Sequence, residues 1–295
     1  MTSWIDSLPG RWPHLVRLTR LDRPIGILLL LWPTLWGLWI ATDGKPSWHL
    51  LLVFVLGTVL MRSAGCAIND YADRNFDGAV TRTRNRPLAT GALRPKDALL
   101  TTAVLATMAF LLVLGTNRLT IALSVPALLL ACSYPFTKRF LAIPQAWLGI
   151  AFGFGIPMVF AAALNTVPMV AWVLLAANTL WAIAYDTEYA MVDRPDDLHL
   201  GIHSSALLFG RLDVTAVMAC YVGSIVLLWQ AGRLAGLGAF WNCGLLLAVV
   251  ISGYHFTLIR QRDGERCFKA FLHNNWWGAA VFAGLLLDCA SGHLN

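Results

Sequence analysis

The chain has 295 residues, of which 58% are hydrophobic and only 13% charged. Globular domains average about 45–50% apolar and 25% charged residues, so this composition excludes an ordinary water-soluble fold and points to a membrane protein. The net charge of +6 does not indicate a nucleic-acid partner, because the basic residues are spread over short connections without aromatic interleaving.

In chain order, the first 24 residues carry Arg11, Arg17, Arg20 and Arg23 and lack the apolar core of a cleavable signal peptide. Trp4, Ile5, Leu8, Trp12 and Leu15 recur at three- and four-residue steps, which predicts an amphipathic helix lying on the membrane or packed on the protein. Nine apolar runs follow with cores at Gly26–Ala41, His49–Ile68, Ala98–Gly115, Leu119–Pro135, Gln145–Leu164, Val167–Tyr185, Val214–Trp229, Leu237–Phe256 and Trp276–Leu287. Spanning helices need roughly 17–25 mostly apolar residues, so these predict nine transmembrane helices, or eight if the short last run stays out. Cys66, Cys132, Cys220 and Cys243 lie in or beside these runs, and no CxxC pair exists, which reads as buried thiols. No soluble or low-complexity segment interrupts the series, so residues 1–295 are expected to form one intramembrane domain.

Lys and Arg accumulate in the N-terminal segment and the even-numbered connections, whereas the opposite connections hold only Lys45, Arg118 and Arg233. By the positive-inside tendency the N-terminus is cytoplasmic and, with nine helices, the C-terminus is outside. The remaining basic residue, Arg62, lies within the second apolar run.

Half of the 16 acidic residues fall in two short stretches, Asp70, Asp73 and Asp77, then Asp186, Glu188, Asp193, Asp196 and Asp197. Acids at span ends must be hydrated, paired or metal-bound. Asn69, Asp73 and Asp77 repeat at four-residue steps and share a face if the second span continues helically. Asp193 and Asp197 are also four apart, although Pro195 predicts a turn or broken helix there. Both stretches fall at the cytoplasmic boundary and could face one cavity. Mg²⁺ takes oxygen ligands and commonly uses one or two carboxylates while substrate phosphates complete its shell, so two carboxylate sets suit a diphosphate. Arg23, Arg82, Arg86 and Lys138 lie on the same side and could neutralise a leaving diphosphate. Without a metal, either cluster alone would read as a solvated acidic face paired with arginines. His199 and His203 lack the company of a transition-metal motif. Asp213, outside both clusters, is expected to tolerate Asn.

At these residues the chain resembles the intramembrane aromatic prenyltransferase superfamily, whose motifs are NDxxDxxxD and DxxxD. Asn69, Asp70, Asp73 and Asp77 fit the first, and Asp193 and Asp197 the second. Within it, LDRPIG at Leu21–Gly26, LLLLWPTLWGLW at Leu28–Trp39, YPFTKR at Tyr134–Arg139 and YDTEYAMVDR at Tyr185–Arg194 are similar to the 4-hydroxybenzoate polyprenyltransferases of ubiquinone biosynthesis. His203 stands where that group is expected to carry lysine, Ser205 where it carries threonine, and Pro195 replaces a frequent aspartate.

The resemblance implies an all-α bundle of nine transmembrane helices around a central cavity capped on the cytoplasmic side. It also implies Mg²⁺ held by Asp73, Asp77, Asp193 and Asp197 with Asn69 and Asp70 in the same shell, Asp73 and Asp193 being essential to catalysis. Arg23 and Lys138 are expected near diphosphate and Arg139 at the carboxylate of the aromatic acid. The implied partners are a polyprenyl diphosphate, 4-hydroxybenzoate and the lipids of a bacterial cytoplasmic membrane. The rival readings are a prenyltransferase with another acceptor and a cation transporter.

Overall fold

The computed structural model describes residues 4–80, 82–137, 139–201 and 203–292. Among the described residues all regular structure is helical. A single turn at Trp4–Ser7 precedes α1 (Trp12–Leu18), and Gly10, at φ 59°, separates the two. The amphipathic stripe therefore occupies two short pieces instead of the one helix the spacing predicts, because Pro9-Gly10 interrupts the helical backbone. Leu18 of α1 is buried with Ala67, Leu93 and Ala98, which fixes the N-terminal segment to the bundle.

The other helices are α2 (Ile25–Ala41), α3 (Trp48–Asp73), α4 (Pro95–Val113), α5 (Arg118–Thr137), α6 (Pro144–Gly153), α7 (Gly155–Leu164), α8 (Met169–Leu200), α9 (Ser205–Phe209), α10 (Asp213–Leu234), α11 (Ala239–Ile259) and α12 (Gly264–Ala290). Seven stretches are long and apolar enough to cross a bilayer: α3, α4, α5, the α6–α7 pair, α8, α9 running into α10, and α11. α2 is apolar but 17 residues long. The last apolar run, the shortest in the sequence, sits inside the 27-residue α12. That helix starts earlier than its apolar stripe because Asp263 caps it, its side chain accepting from Arg266 N at 2.9 Å.

Two lengths position the site. α3 has 26 residues and α8 has 32, which at 1.5 Å per residue gives about 39 and 48 Å against a hydrocarbon core of about 30 Å. Both helices are therefore longer than the apolar layer is thick, and their C-terminal turns carry the acidic motifs. α8 continues through Pro195 to Leu200, where the sequence predicts a break. A proline removes one intrahelical hydrogen bond, so this end of α8 needs support from outside the helix. Thr187 Oγ1 lies 2.7 Å from Ser205 Oγ, and Ser205 N donates to Gln145 Oε1 at 3.1 Å, tying α8 and the following segment to α6.

α8 packs on α6, α10 and α12, and α11 packs on α12. At that last contact a Cβ on Gly284 would lie 2.8 Å from Gly244 Cα, so the two backbones meet where only glycine fits. Trp36, Trp181 and Trp277 are fully buried and mutually in contact, with Trp181 and Trp277 stacked at 4.8 Å between centroids. Beside them lies a buried polar network. Asn274 Nδ2 donates to Glu188 Oε2 at 2.8 Å and Trp181 Nε1 to Asn274 Oδ1 at 2.8 Å. The Tyr221 hydroxyl lies 3.0 Å from Glu188 Oε1 and 2.8 Å from His255 Nδ1. One carboxyl group thus joins α8 to α10 and α12, and through Tyr221 to α11.

Candidate active site

A cavity of 1240 Å³ opens where α3 and α8 end. Asn69, Asp70, Asp73, Asp77, Asp193, Asp197, Arg23 and Arg139 all line it, so the two motifs face each other across one space. Lys138 lies outside the described residues.

The first motif keeps its helical register. Asn69 Nδ2 donates to Asp73 Oδ2 at 3.1 Å, and Asp77 N to Asp73 O at 2.9 Å, so Asp77 follows one turn beyond the end of α3. Beyond Asp77, Arg82 and Arg86 then fold back over the acids. Arg86 Nη1 lies 2.9–3.0 Å from both Asp77 oxygens and 3.0 Å from Asp70 Oδ1. Arg20 reaches Asp70 Oδ1 at 3.4 Å. Arg82 crosses to the second motif, its Nε 3.0 Å from Asp193 Oδ1 and its Nη2 2.6 Å from Oδ2, with its guanidinium 4.5 Å from the Tyr189 ring centroid. Burial pushes the Asp77 carboxyl above its ordinary range; Arg86 works against that, while the negative Asp70 and Asp73 add to it. Burial also opposes the charge of Arg86, yet Asp70 and Asp77 raise its pKa above the ordinary arginine value. Arg20, Arg82 and Arg86 thus offset the charge of Asp70, Asp77 and Asp193.

Among the described residues no three Asp, Glu, His or Cys side chains form a ready-made metal cage. The donor set nevertheless fits Mg²⁺. It consists of hard oxygens, and a diphosphate would supply the remaining ligands. Asp77, whose charge is disfavoured by burial and by neighbouring carboxylates, is a group that a divalent cation would relieve.

Arg23 is largely exposed at the rim, 3.8 Å from Asp22 Oδ2. Arg139 Nη2 donates to Ala72 O at 3.0 Å, and its guanidinium lies 5.9 and 5.6 Å from the Phe76 and Phe136 ring centroids. Farther along α3, Arg62 stands seven residues before Asn69, about 10 Å deeper by helical rise. Its Nη1 lies 2.8 Å from Cys66 Sγ and its guanidinium 5.5 Å from the Phe152 centroid, while its buried Nε has no hydrogen-bond partner. A Cβ on Gly26 would sit 2.6 Å from that guanidinium, so Gly26 leaves the space that Arg62 fills. Beyond it the wall is apolar, with Val53, Phe54 and Met61 of α3, Val113 of α4 and Ala127 and Ala131 of α5.

Sequence reasoning gave no role to Arg20 or Arg62. The position of Arg62 inside an apolar run was a usable signal, because a charge at that depth must face a cavity or a partner. Asp213 is fully buried and bonded to two arginines, which gives reason to reverse the expectation that Asn would be tolerated there.

Residues 30–279 match the UbiA prenyltransferase family. The chain belongs to that family. It is 63% identical over 286 residues to the 4-hydroxybenzoate octaprenyltransferase of Azoarcus sp. strain BH72, covering 97% of this chain and 100% of the relative. It is 61% identical to the protein of that name from Aromatoleum aromaticum, covering 96% of each. Among solved structures it is similar to a UbiA homologue from Aeropyrum pernix K1, with TM-score 0.79, 25% identity, and coverage of 89% of this chain and 97% of that one. A UbiA homologue from Archaeoglobus fulgidus bound to GPP and Mg²⁺ shares the fold, with TM-score 0.69 and 16% identity over 92% of this chain and 99% of that one. Its apolar helices and its family make this chain a multi-pass membrane protein.

Proposed function

We propose that the chain transfers a polyprenyl group from polyprenyl diphosphate to the ring carbon ortho to the hydroxyl of 4-hydroxybenzoate, releasing diphosphate, in ubiquinone biosynthesis. The observation that carries this reading is one cavity with two opposed carboxylate sets at its mouth, a guanidinium deeper in, and an apolar wall behind. Relatives of that name at 60% identity or more over nearly the whole chain support the choice of acceptor. The reading places residues 1–295, as one domain, in the bacterial inner membrane with the acidic mouth and the N-terminus on the cytoplasmic side.

In this reading Asn69, Asp70, Asp73, Asp77, Asp193 and Asp197 hold Mg²⁺, which when bound neutralises the diphosphate and makes it a better leaving group. Arg82 and Arg86 are paired with these acids. When acids turn to metal the arginines must change partner, and the diphosphate is the anion that arrives with it, joined by Arg23 and Lys138. Loss of diphosphate leaves an allylic cation. Tyr189 and Phe271 line the cavity as aromatic groups that can stabilise it, and the apolar walls exclude water. The ring carbon ortho to the phenol attacks the allylic carbon, and its ring proton passes to an aspartate of the first motif or to the released diphosphate, which restores aromaticity.

Two guanidiniums compete for the acceptor carboxylate. Arg139 was the candidate from the sequence, but it already donates to Ala72 O. Arg62 lies deeper in the cavity and keeps a buried, unpartnered Nε, which favours Arg62.

The deciding experiment is transfer of a short and a long prenyl diphosphate to labelled 4-hydroxybenzoate in membranes expressing this chain. Removing Mg²⁺ with a chelator is expected to lower the rate by about a hundredfold or more, and added Mg²⁺ to restore it. A product whose rate ignores the chelator would overturn the metal reading. No product from folded protein would overturn the acceptor, and Mg²⁺ flux into proteoliposomes without prenyl diphosphate would favour transport.

A further inference from the structure

The acidic turns of α8 are held from behind by an ion-pair clamp, built on the buried Asp213, that the reaction itself does not use. Arg194 follows Asp193 directly, and on a helix successive side chains point about 100° apart, so Asp193 faces the cavity while Arg194 faces away. The Arg194 Nη2 donates to Ala206 O at 2.6 Å, to Gly210 O at 3.2 Å and to Asp213 Oδ2. Arg262, in the connection between α11 and α12, donates through Nε to Asp213 Oδ1 at 3.0 Å and through Nη2 to Arg211 O at 2.8 Å. Asp213, the first residue of α10, also accepts from Val214 N at 2.7 Å. Its side chain is 0% exposed.

Two further features set this apart from a chance surface pair. Arg262 has φ 58°, a left-handed backbone uncommon for a residue with a side chain, and it is held there while its guanidinium grips Asp213. The clamp also meets α8 at Arg194, next to Pro195, where the helix has lost a backbone hydrogen bond of its own.

We propose that Asp213 is a positioning residue for the second carboxylate pair: through Arg194 it fixes the rotation of the last turns of α8, so that Asp193 and Asp197 point at the metal and diphosphate. This rests on the metal-binding reading above. Partners that orient metal ligands typically change metal affinity or activity by about 10–100-fold when removed, although they touch neither metal nor substrate.

The test uses purified full-length protein as wild type, Asp213→Asn, Asp213→Glu, Arg262→Gln and Asp193→Asn. Each is titrated with Mg²⁺ in the presence of inorganic pyrophosphate and followed by the shift in thermal unfolding, with prenyl transfer assayed in parallel. Asp213→Asn is expected to need about tenfold more Mg²⁺ for half of the thermal shift and for half-maximal rate, with KM for 4-hydroxybenzoate within about twofold of wild type. Asp213→Glu should recover most of the Mg²⁺ response because it restores the charge, and Arg262→Gln should fall between. A wild-type Mg²⁺ midpoint in Asp213→Asn overturns the proposal. If that variant does not fold, a wild-type midpoint in Arg262→Gln overturns it. Should wild type itself show no Mg²⁺-dependent shift, the metal reading fails and this one with it. A clear shift in wild type and its loss in Asp193→Asn, combined with an unchanged midpoint in Asp213→Asn, rejects the positioning role alone.

Discussion

Asp73→Asn and Asp193→Asn are each expected to lower kcat/KM for prenyl transfer by about 10²–10³-fold while leaving the protein inserted and folded, since each removes a carboxylate that would hold the Mg²⁺ neutralising the departing diphosphate. Asparagine keeps the shape and the hydrogen-bonding oxygen but not the negative charge. At Asp73 the bond from Asn69 at 3.1 Å can survive the change. At Asp193 the substitution also frees Arg82, which loses a two-point ionic partner within the protein. The Asp193 variant should therefore bind diphosphate alone no worse than wild type, and Mg²⁺-diphosphate far more weakly. Transfer assays and pyrophosphate binding with and without Mg²⁺ read these two effects separately. Activity equal to wild type in both variants, at equal amounts of folded protein, would remove the two-motif metal site.

Arg62→Ala is expected to raise KM for 4-hydroxybenzoate by about 10–100-fold with little change in KM for the prenyl diphosphate. That is the size of a lost charge-assisted hydrogen bond, about 1.5–3 kcal/mol. Gly26→Ala should have the same selective effect without touching the charge, because the new Cβ would stand 2.6 Å from the guanidinium and displace it. Arg139→Ala, which breaks a bond to Ala72 O, should change the use of both substrates together. Steady-state kinetics varying one substrate at a time distinguishes these patterns. A selective loss in Arg139→Ala and none in Arg62→Ala would return the acceptor carboxylate to Arg139.

Periodicity made the helical framework legible: each of the nine apolar runs lies largely within helix, and the four-residue spacing of Asn69, Asp73 and Asp77 survives in the hydrogen bonds that join them. Such spacing reports which side chains share a face. It does not report what the face meets. The pairing of Arg82 with Asp193 spans 111 residues, and the approach of Arg262 to Asp213 depends on a left-handed turn that no local pattern announces. Pro195 misled for a related reason. Its effect on α8 is local, whereas the contacts that support the helix there come from Gln145 by way of Ser205 and from Asp213 by way of Arg194. Arg62 and Arg139 could not be ranked from sequence, because they differ in surroundings: Arg62 keeps a buried nitrogen without a partner, whereas Arg139 is tied to Ala72 O.

The buried Glu188 network also bears on how the chain is made. Glu188 reaches the ribosomal exit before its hydrogen-bond partners, and Asn274 follows it by 86 residues. At synthesis rates of about 5–20 residues per second, α8 must wait roughly 4–17 s before the last of these partners exists. During that interval a carboxyl group lacking at least one of its partners sits on a segment otherwise ready to enter lipid. α8 is thus expected to linger at the translocation machinery until α12 emerges, and the C-terminal helices to settle as a group. Chains truncated before Gly264 should then remain cross-linkable to the translocon through α8, whereas the full chain should be released.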